Sequence, residues 1–127
     1  MKKELPKIAD SEWKVMQVLW KNGTMTANEV VHALSEDVPW KSRTIKTLIS
    51  RLVKKGAVKV VEEGYRYLYS AAVDESDCIR SETKSFVHRV YKGSLKPALV
   101  RFLEDADLSA KEIDDLQEIL DKKKEEQ

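Results

Sequence analysis

A basic stretch from Trp40 to Lys55 carries the side chains best suited to chemistry. Its basic residues are Lys41, Arg43, Lys46, Arg51, Lys54 and Lys55, and it contains no acidic residue. Three hydroxyl side chains lie among them, on Thr44, Thr47 and Ser50. Ammonium, guanidinium and hydroxyl groups bind phosphate oxygens and base edges, so this composition predicts a nucleic-acid site. The simpler alternative is an amphipathic surface helix whose charges are only solvated.

Apolar residues in the same stretch recur with helical spacing. They lie at i, i+3, i+4, i+7 and i+8, as Ile45, Leu48, Ile49, Leu52 and Val53. This spacing predicts a helix that buries one face and directs its basic face outward. We expect Ser42 to cap this helix and Gly56 to end it. Because charged surface helices usually mix both signs, the absence of acids favours a recognition helix.

Two helices are predicted before the basic one, and a hairpin after it. The first helix starts with Asp10 or Ser11 as its N-cap and stops at Asn22-Gly23. The second starts with a capping box from Thr26 to Glu29. After Gly56 the sequence AVKVVEEGYRYLYSA combines β-branched residues, a Glu-Glu-Gly turn and alternating tyrosines, a pattern typical of two short strands.

The order helix, helix, basic helix, hairpin predicts a winged helix-turn-helix domain over residues 1–73, so the fold class is α+β and mostly α. In such a domain the third helix enters the major groove of DNA, which is about 12 Å wide. A winged-helix adaptor that binds proteins instead of DNA is the alternative. The acid-free face of the third helix and Arg66 beside the Gly64 turn favour DNA.

Residues 74–127 are predicted to form three short amphipathic helices that dimerise. The helices start near Asp74, at Ser94 and at a capping box from Ser109 to Glu112. Their apolar residues include the predicted dimerisation set Ile79, Phe86, Val90, Leu95, Leu99, Phe102, Leu103, Ile113, Leu116 and Leu120. Three short helices cannot cover this surface alone, so we expect a homodimer with two-fold symmetry. The alternative is that they fold back on their own winged helix.

Composition excludes several functions. The net charge of +1 divides into a basic half, residues 1–73, and an acidic half, residues 74–127. The N-terminal residues MKKELPKIAD lack an apolar core, and no run of about 18 apolar residues occurs, so we expect a cytoplasmic protein without membrane insertion. One cysteine, Cys78, and two histidines, His32 and His88, cannot complete a zinc site. We therefore expect no metal and no cofactor.

An enzyme is the least favoured class. Cys78 and His88 are ten residues apart on one predicted helix, about 15 Å at 1.5 Å per residue. A nucleophile and its base must approach to about 3 Å. Phosphate-binding glycine loops and the HExxH and GxSxG motifs are absent from the sequence.

The chain resembles the penicillinase and methicillin-resistance repressors of Gram-positive bacteria, the BlaI/MecI type. The similar segments are IADSEWKVMQVLW at 8–20, WKSRTIKTL at 40–48, RLVKKGA at 51–57, GYRYLY at 64–69 and DESDC at 74–78. The resemblance covers about Leu5 to Leu120. It implies a homodimeric repressor of operator DNA, controlling a β-lactam-resistance or related stress operon, released when a membrane sensor-protease pathway leads to cleavage.

The resemblance also implies roles for single residues. The groove-facing residues would be Lys41, Ser42, Arg43, Thr44 and Thr47, and those near phosphates Thr26, Arg51 and Arg66; Lys46 completes the predicted DNA-binding set. The antibiotic-responsive members are cleaved at Asn-Phe, where this sequence has Arg101-Phe102, the candidate cleavage site. The copper-responsive relatives carry a Cys-x-Cys cluster near a C-terminus that here reads DKKKEEQ, so we expect no copper site of that kind.

Overall fold

The computed structural model describes residues 5–127, which form six helices and one two-stranded hairpin. The helices are α1 (Asp10–Asn22), α2 (Ala27–Leu34), α3 (Ser42–Lys55), α4 (Glu75–Tyr91), α5 (Leu95–Asp105) and α6 (Ala110–Glu125), and the strands are β1 (Val58–Glu63) and β2 (Arg66–Ala71). The chain divides into a first unit, Met1–Glu82, and a second unit, Thr83–Gln127. This division falls inside α4, whereas the boundary predicted after residue 73 falls just before that helix.

The start of α1 differs from the expectation. Neither Asp10 nor Ser11 is the N-cap, because the helix already begins at Asp10 and Ala9 takes the capping position. Glu12 closes this end instead, since its Oε1 accepts a hydrogen bond from the Ala9 amide at 2.9 Å. A carboxylate three residues into a helix can thus satisfy an exposed backbone donor even where the cap residue has no polar side chain.

The predicted capping box of α2 is confirmed and is tied to the hairpin. The Thr26 hydroxyl accepts from the Glu29 amide at 3.2 Å, and Glu29 Oε1 accepts from the Thr26 amide at 2.9 Å. Just before this cap, Met25 and Tyr69 exchange two backbone hydrogen bonds, of 2.9 and 2.7 Å. The segment before α2 therefore adds a one-residue bridge to the edge of β2.

The hairpin is antiparallel, with its register running from Val58 opposite Ala71 to Glu63 opposite Arg66. Its turn consists of Gly64 and Tyr65, and Gly64 has a φ of 65°. A two-residue hairpin turn requires positive φ at its first position in type II′ geometry, where glycine has no steric penalty. Tyr65 consequently lies in the turn, fully exposed, rather than continuing the strand.

The core of the first unit lies where α1, α2, α3 and β1 meet. Its buried members are Ile8, Val15, Met16, Leu19, Met25, Val30, Leu34, Ile45, Leu48, Ile49, Leu52, Ala57, Val58 and Cys78. The α3 stripe is buried as expected, except that Val53 is only half-buried. The Trp20 indole nitrogen donates to the Val73 carbonyl at 3.0 Å, which fastens the chain after β2 to α1. These contacts hold α3 at a fixed orientation with its basic face outward.

The second unit contains little buried apolar surface among the described residues. Ala98 is its buried apolar side chain, and the rings of Phe86 and Phe102 stack with centroids 6.0 Å apart. The predicted capping box of α6 is confirmed, because Ser109 and Glu112 exchange two hydrogen bonds of 3.1 Å. Ser94 is the N-cap of α5, although its side chain makes no capping hydrogen bond.

Candidate nucleic-acid interface

The predicted recognition helix, α3, exposes polar residues on one side and buries apolar residues on the other. Its N-cap is Lys41 rather than Ser42, which forms the first helical residue, so the expected Ser42 cap is wrong. Lys41 has the extended conformation of a cap without a side-chain capping bond. At the other end Gly56 has a φ of 85° in the left-handed region, as predicted for a helix end. The uncapped first turn leaves backbone amides and the positive end of the helix dipole beside Ser42 and Arg43.

An open groove runs along the outer face of α3. It is lined by Ser42, Arg43, Lys46, Thr47 and Ser50. These positions are spaced at i, i+1, i+4, i+5 and i+8, so they lie along one side of the helix. All five are exposed, and their polar groups are all cationic or hydroxyl groups. Such a surface can bind phosphate oxygens and the polar edges of bases, and it contains no acidic side chain that would repel an anion.

A second groove lies between α3 and the hairpin. Its lining is Thr47, Ser50, Arg51, Val53, Lys54, Val60 and Tyr69. Two cations, Arg51 and Lys54, stand on one wall and the apolar hairpin residues on the other. The predicted DNA-binding set contains Arg51 but lacks Ser50 and Lys54. Ser50 could have been found from its spacing, since it lies three residues after Thr47 on the same face.

Thr26 and Arg66 line neither groove. The Thr26 amide and hydroxyl are both used in the cap of α2. Arg66 begins β2 opposite Glu63, and its positive charge also reaches Glu29. The pKa of Glu29 lies below its ordinary value, mainly because the backbone amide and side chain of Thr26 bond to the carboxylate, and in a lesser degree because of Arg66. Acids on two sides thus partly offset the charge that Arg66 can offer to a phosphate.

Lys41 and Thr44 are exposed near the start of α3 but do not line the groove on its outer face. Lys41 is the N-cap and Thr44 lies in the first turn, so they remain in the predicted DNA-binding set on position alone. Lys46, by contrast, lies inside the groove with Arg43 and Thr47.

Lys55 has a structural contact that the sequence did not suggest. Its Nζ forms an ion pair with Glu12, whose side chain is only 2% exposed, and donates to the Lys7 carbonyl at 2.9 Å. The contact joins the last turn of α3 to the first turn of α1. A cation of the basic stretch therefore positions α3 instead of lining the groove on its outer face.

Most of the predicted dimerisation residues are exposed apolar side chains. Exposed members are Ile79, Val90, Leu95, Leu99, Phe102, Leu103, Ile113, Leu116 and Leu120, while Phe86 is half-buried. The candidate cleavage site, Arg101-Phe102, lies within α5. Arg101 is exposed there and pairs with Asp105 at 3.2 Å one turn later.

Within residues 5–127 the structure holds no group of three or more histidine, cysteine or acidic side chains that could bind a metal ion. No helix in the same range is both long and apolar enough to cross a membrane. Burial, with the nearby Asp77 and Asp74, raises the pKa of the Cys78 thiol, which disfavours the reactive thiolate.

Three packed helices, a third helix with an open cationic face and a β-hairpin directly after it define a winged helix-turn-helix protein. The predicted fold class is thereby confirmed. The family model for the penicillinase repressor matches residues 8–122, and the chain belongs to this family. The family consists of repressors, in agreement with the expectation that the chain is not an enzyme.

Individual proteins of known identity agree with this assignment. The penicillinase repressor of Bacillus licheniformis is 41% identical over 96% of this chain and 95% of its own length. The methicillin resistance regulatory protein MecI of Staphylococcus aureus strain N315 is 36% identical over 91% of this chain and 94% of its own. The solution structure of monomeric Bacillus licheniformis BlaI in complex with the blaP half-operator has a TM-score of 0.53 and 42% identity, and covers 60% of this chain and 93% of that one.

Proposed function

We propose that this protein is a homodimeric transcriptional repressor that binds a two-fold symmetric operator in duplex DNA. Residues 1–73 would bind DNA, and residues 74–127 would join two copies. The observation that carries the proposal is the outer face of α3, where a groove of exposed cationic and hydroxyl side chains contains no acid. The complex of a 42% identical relative, in its monomeric form, with a half-operator supports the DNA-binding part of the proposal.

The shape of α3 suits a major groove. A helix with its side chains is about 10–12 Å across, close to the groove's width of about 12 Å. With Ser42, Arg43, Lys46 and Thr47 against base edges, Arg51 and Lys54 would face the flanking phosphates. The hairpin would add little charge, because Glu62 and Glu63 accompany Arg66 near its tip.

The exposed apolar faces of α4, α5 and α6 support dimerisation by residues 74–127. Ile113, Ile119 and Leu120 are each more than half exposed on α6, and Phe102 on α5. Water-exposed apolar surface is unfavourable by about 25 cal/mol per Å², so these faces gain stability by packing against a second copy. A two-fold dimer would also match the symmetry of an operator made of two half-sites.

The names of the relatives suggest what the operator controls. One is a penicillinase repressor and another a methicillin resistance regulator, so we propose a β-lactam-resistance or related stress operon as the target. A repressor must reach chromosomal DNA, which in bacteria places it in the cytoplasm.

We further propose that a sensor-protease pathway can release the repressor by cutting at Arg101-Phe102. This bond lies inside α5, and the Phe102 ring stacks on Phe86. Proteolysis occurs preferentially in exposed, locally unfolded segments, so α5 would have to open before cleavage. Cutting there would separate α6 from the DNA-binding part of the chain.

Selection of bound fragments from random and genomic DNA, followed by titration of the selected site at several salt concentrations, tests DNA binding. If the dimer contacts about 6 to 10 phosphates, log K should fall with log salt at a slope of about −5 to −9. A slope shallower than about −2, or equal affinity for random duplex, would support the protein-binding adaptor instead.

Dimerisation is tested by placing a charge on the apolar face of α6. Ile119→Glu should shift the protein toward monomer in sedimentation equilibrium and weaken operator binding at least about 100-fold, because linked half-sites gain about 10²–10⁴ in effective affinity. Lys111→Gln changes the net charge by the same amount on the opposite, polar side of α6, where Lys111 is exposed and pairs with exposed Asp115, and it should change neither. A dimer that survives Ile119→Glu with full affinity would place its contact elsewhere.

A further inference from the structure

The side chain of Thr47 has its hydroxyl proton already in use. Thr47 Oγ1 donates a hydrogen bond of 2.9 Å to the Arg43 carbonyl, four residues earlier in α3. This back-bond to the helix is one of the two arrangements that threonine adopts in helices. A threonine hydroxyl has a single proton, so Thr47 cannot also donate to a base.

What Thr47 can present to a ligand follows from this bond. The hydroxyl oxygen is turned against the helix backbone, and the remaining branch of the exposed side chain is its methyl group. The neighbours that line the same groove, Ser42, Arg43, Lys46 and Ser50, carry no methyl group. Thr47 is therefore an apolar point in the middle of a surface that otherwise offers polar and cationic groups.

Only one natural base of DNA offers an apolar group in the major groove, the 5-methyl group of thymine. Resting on the proposed function, we infer that Thr47 is a specificity-determining residue that reads a thymine through methyl–methyl contact. Guanine O6 and N7 need a donor, which Thr47 lacks and which Arg43 or Lys46 beside it can supply. The groove thus combines one apolar position with flanking positions for acceptor-rich bases.

The test removes the methyl group from each side of the proposed contact in turn, and it removes the Thr47 hydroxyl separately. Thr47→Val keeps a methyl and removes the oxygen, and Thr47→Ser keeps the oxygen and removes the methyl. In the selected operator, each thymine is replaced singly by uracil, which lacks only the 5-methyl group. Thr24→Ser, at an exposed threonine between α1 and α2, is the matched control, and the melting temperature of each variant checks its folding.

We expect one thymine per half-site at which uracil weakens the wild-type protein about fourfold, the effect of losing one buried methyl contact. Thr47→Val should bind as the wild type does and keep this sensitivity. Thr47→Ser should bind about fourfold more weakly per half-site and show no further loss with uracil. The control should behave as the wild type at every position.

Two outcomes would overturn the inference while the proposed function stands. In the first, the wild type binds its selected site specifically but Thr47→Ser retains every uracil sensitivity. In the second, Thr47→Val loses as much affinity as Thr47→Ser, which would make the oxygen the reading group. Failure to select any sequence would instead contradict the proposed function, and the inference with it.

Discussion

Replacing Lys55 with methionine should destabilise the first unit without changing how many phosphates the protein contacts. Lys55 Nζ pairs with Glu12 and donates to the Lys7 carbonyl, so it joins α3 to the start of α1. Methionine keeps most of the aliphatic length and removes the charge. The Glu12 carboxylate, which is 2% exposed beside Lys55, would then lose its cation and keep the hydrogen bond from the Ala9 amide.

The expected loss of stability depends on how far the Lys55 and Glu12 side chains are buried. Removing one partner of a fully buried ion pair is destabilising by about 3–5 kcal/mol. The Lys55 side chain is 35% exposed, and Glu12 keeps one backbone hydrogen bond, so we expect about 2 kcal/mol. For a unit of this size, about 4–8 °C of melting temperature corresponds to each kcal/mol, which gives a decrease of about 8–16 °C.

Tryptophan fluorescence during heating is a suitable assay. All three tryptophans lie in the first unit, at Trp13, Trp20 and Trp40, so the signal reports on that unit within the full chain. Trp20 also donates to the carbonyl of Val73, which separates from α1 on unfolding.

DNA titrations with Lys55→Met and Lys54→Met distinguish a positioning residue from a phosphate contact. Lys54 is exposed and lines the groove beside the hairpin. Lys54→Met should reduce the steepness of the salt dependence by about 0.9 per lost contact with little change in melting temperature. Lys55→Met should keep the wild-type salt slope at temperatures where it is folded. A lower slope for Lys55→Met with an unchanged melting temperature would refute the reasoning.

Two further predictions concern the proposed DNA-binding residues and a capping residue. Arg43→Ala should cost about 1–3 kcal/mol chiefly on the selected site, whereas Arg51→Ala should weaken specific and non-specific binding alike; gel shifts that show the reverse would mean α3 docks in another register. The pKa of Glu29 is lowered in the folded protein, so its ionised carboxylate stabilises the fold. This stabilisation is fully present above the ordinary glutamate pKa of about 4.3 and is lost as the pH falls through the folded pKa. The wild type should therefore have a higher melting temperature than Glu29→Gln at neutral pH, and this difference should disappear in acid. Glu36 is an exposed glutamate beyond α2, and the control Glu36→Gln should melt as the wild type does at each pH. A difference between wild type and Glu29→Gln that grew on acidification would contradict the assigned capping bond.

The charge at the tip of the hairpin affects which parts of the protein could contact DNA. Glu62 and Glu63 precede the turn, Arg66 follows it, and Tyr65 is fully exposed between them. This tip carries more negative than positive charge, so close approach to phosphates would be unfavourable there. Arg43, Lys46, Arg51 and Lys54 instead line the two grooves beside α3. Under the proposed function, this helix would therefore supply most of the affinity and the sequence reading.

Local patterns in the sequence were sufficient for much of the fold. The capping boxes at Thr26 and Ser109 join residues three apart, so they can be read without knowledge of the rest of the chain. The buried stripe of α3 and the glycine turns at Gly56 and Gly64 are likewise set by helical spacing and by backbone sterics. For the same reason the outer face of α3 was correctly placed in solvent.

Contacts between distant residues required the tertiary structure. The sequence marks Lys55 only as one more cation of the basic stretch, and its partner Glu12 lies 43 residues away. The bridge from Met25 to Tyr69 and the bond from Trp20 to Val73 also join separate elements. Thr47 belongs to the same helix as its acceptor, but threonine can adopt more than one helical rotamer, and the structure identifies the one present. The sequence therefore determined which helix carries the exposed basic face, whereas packing decided which of its polar groups are already bonded within the protein and which remain available to a ligand.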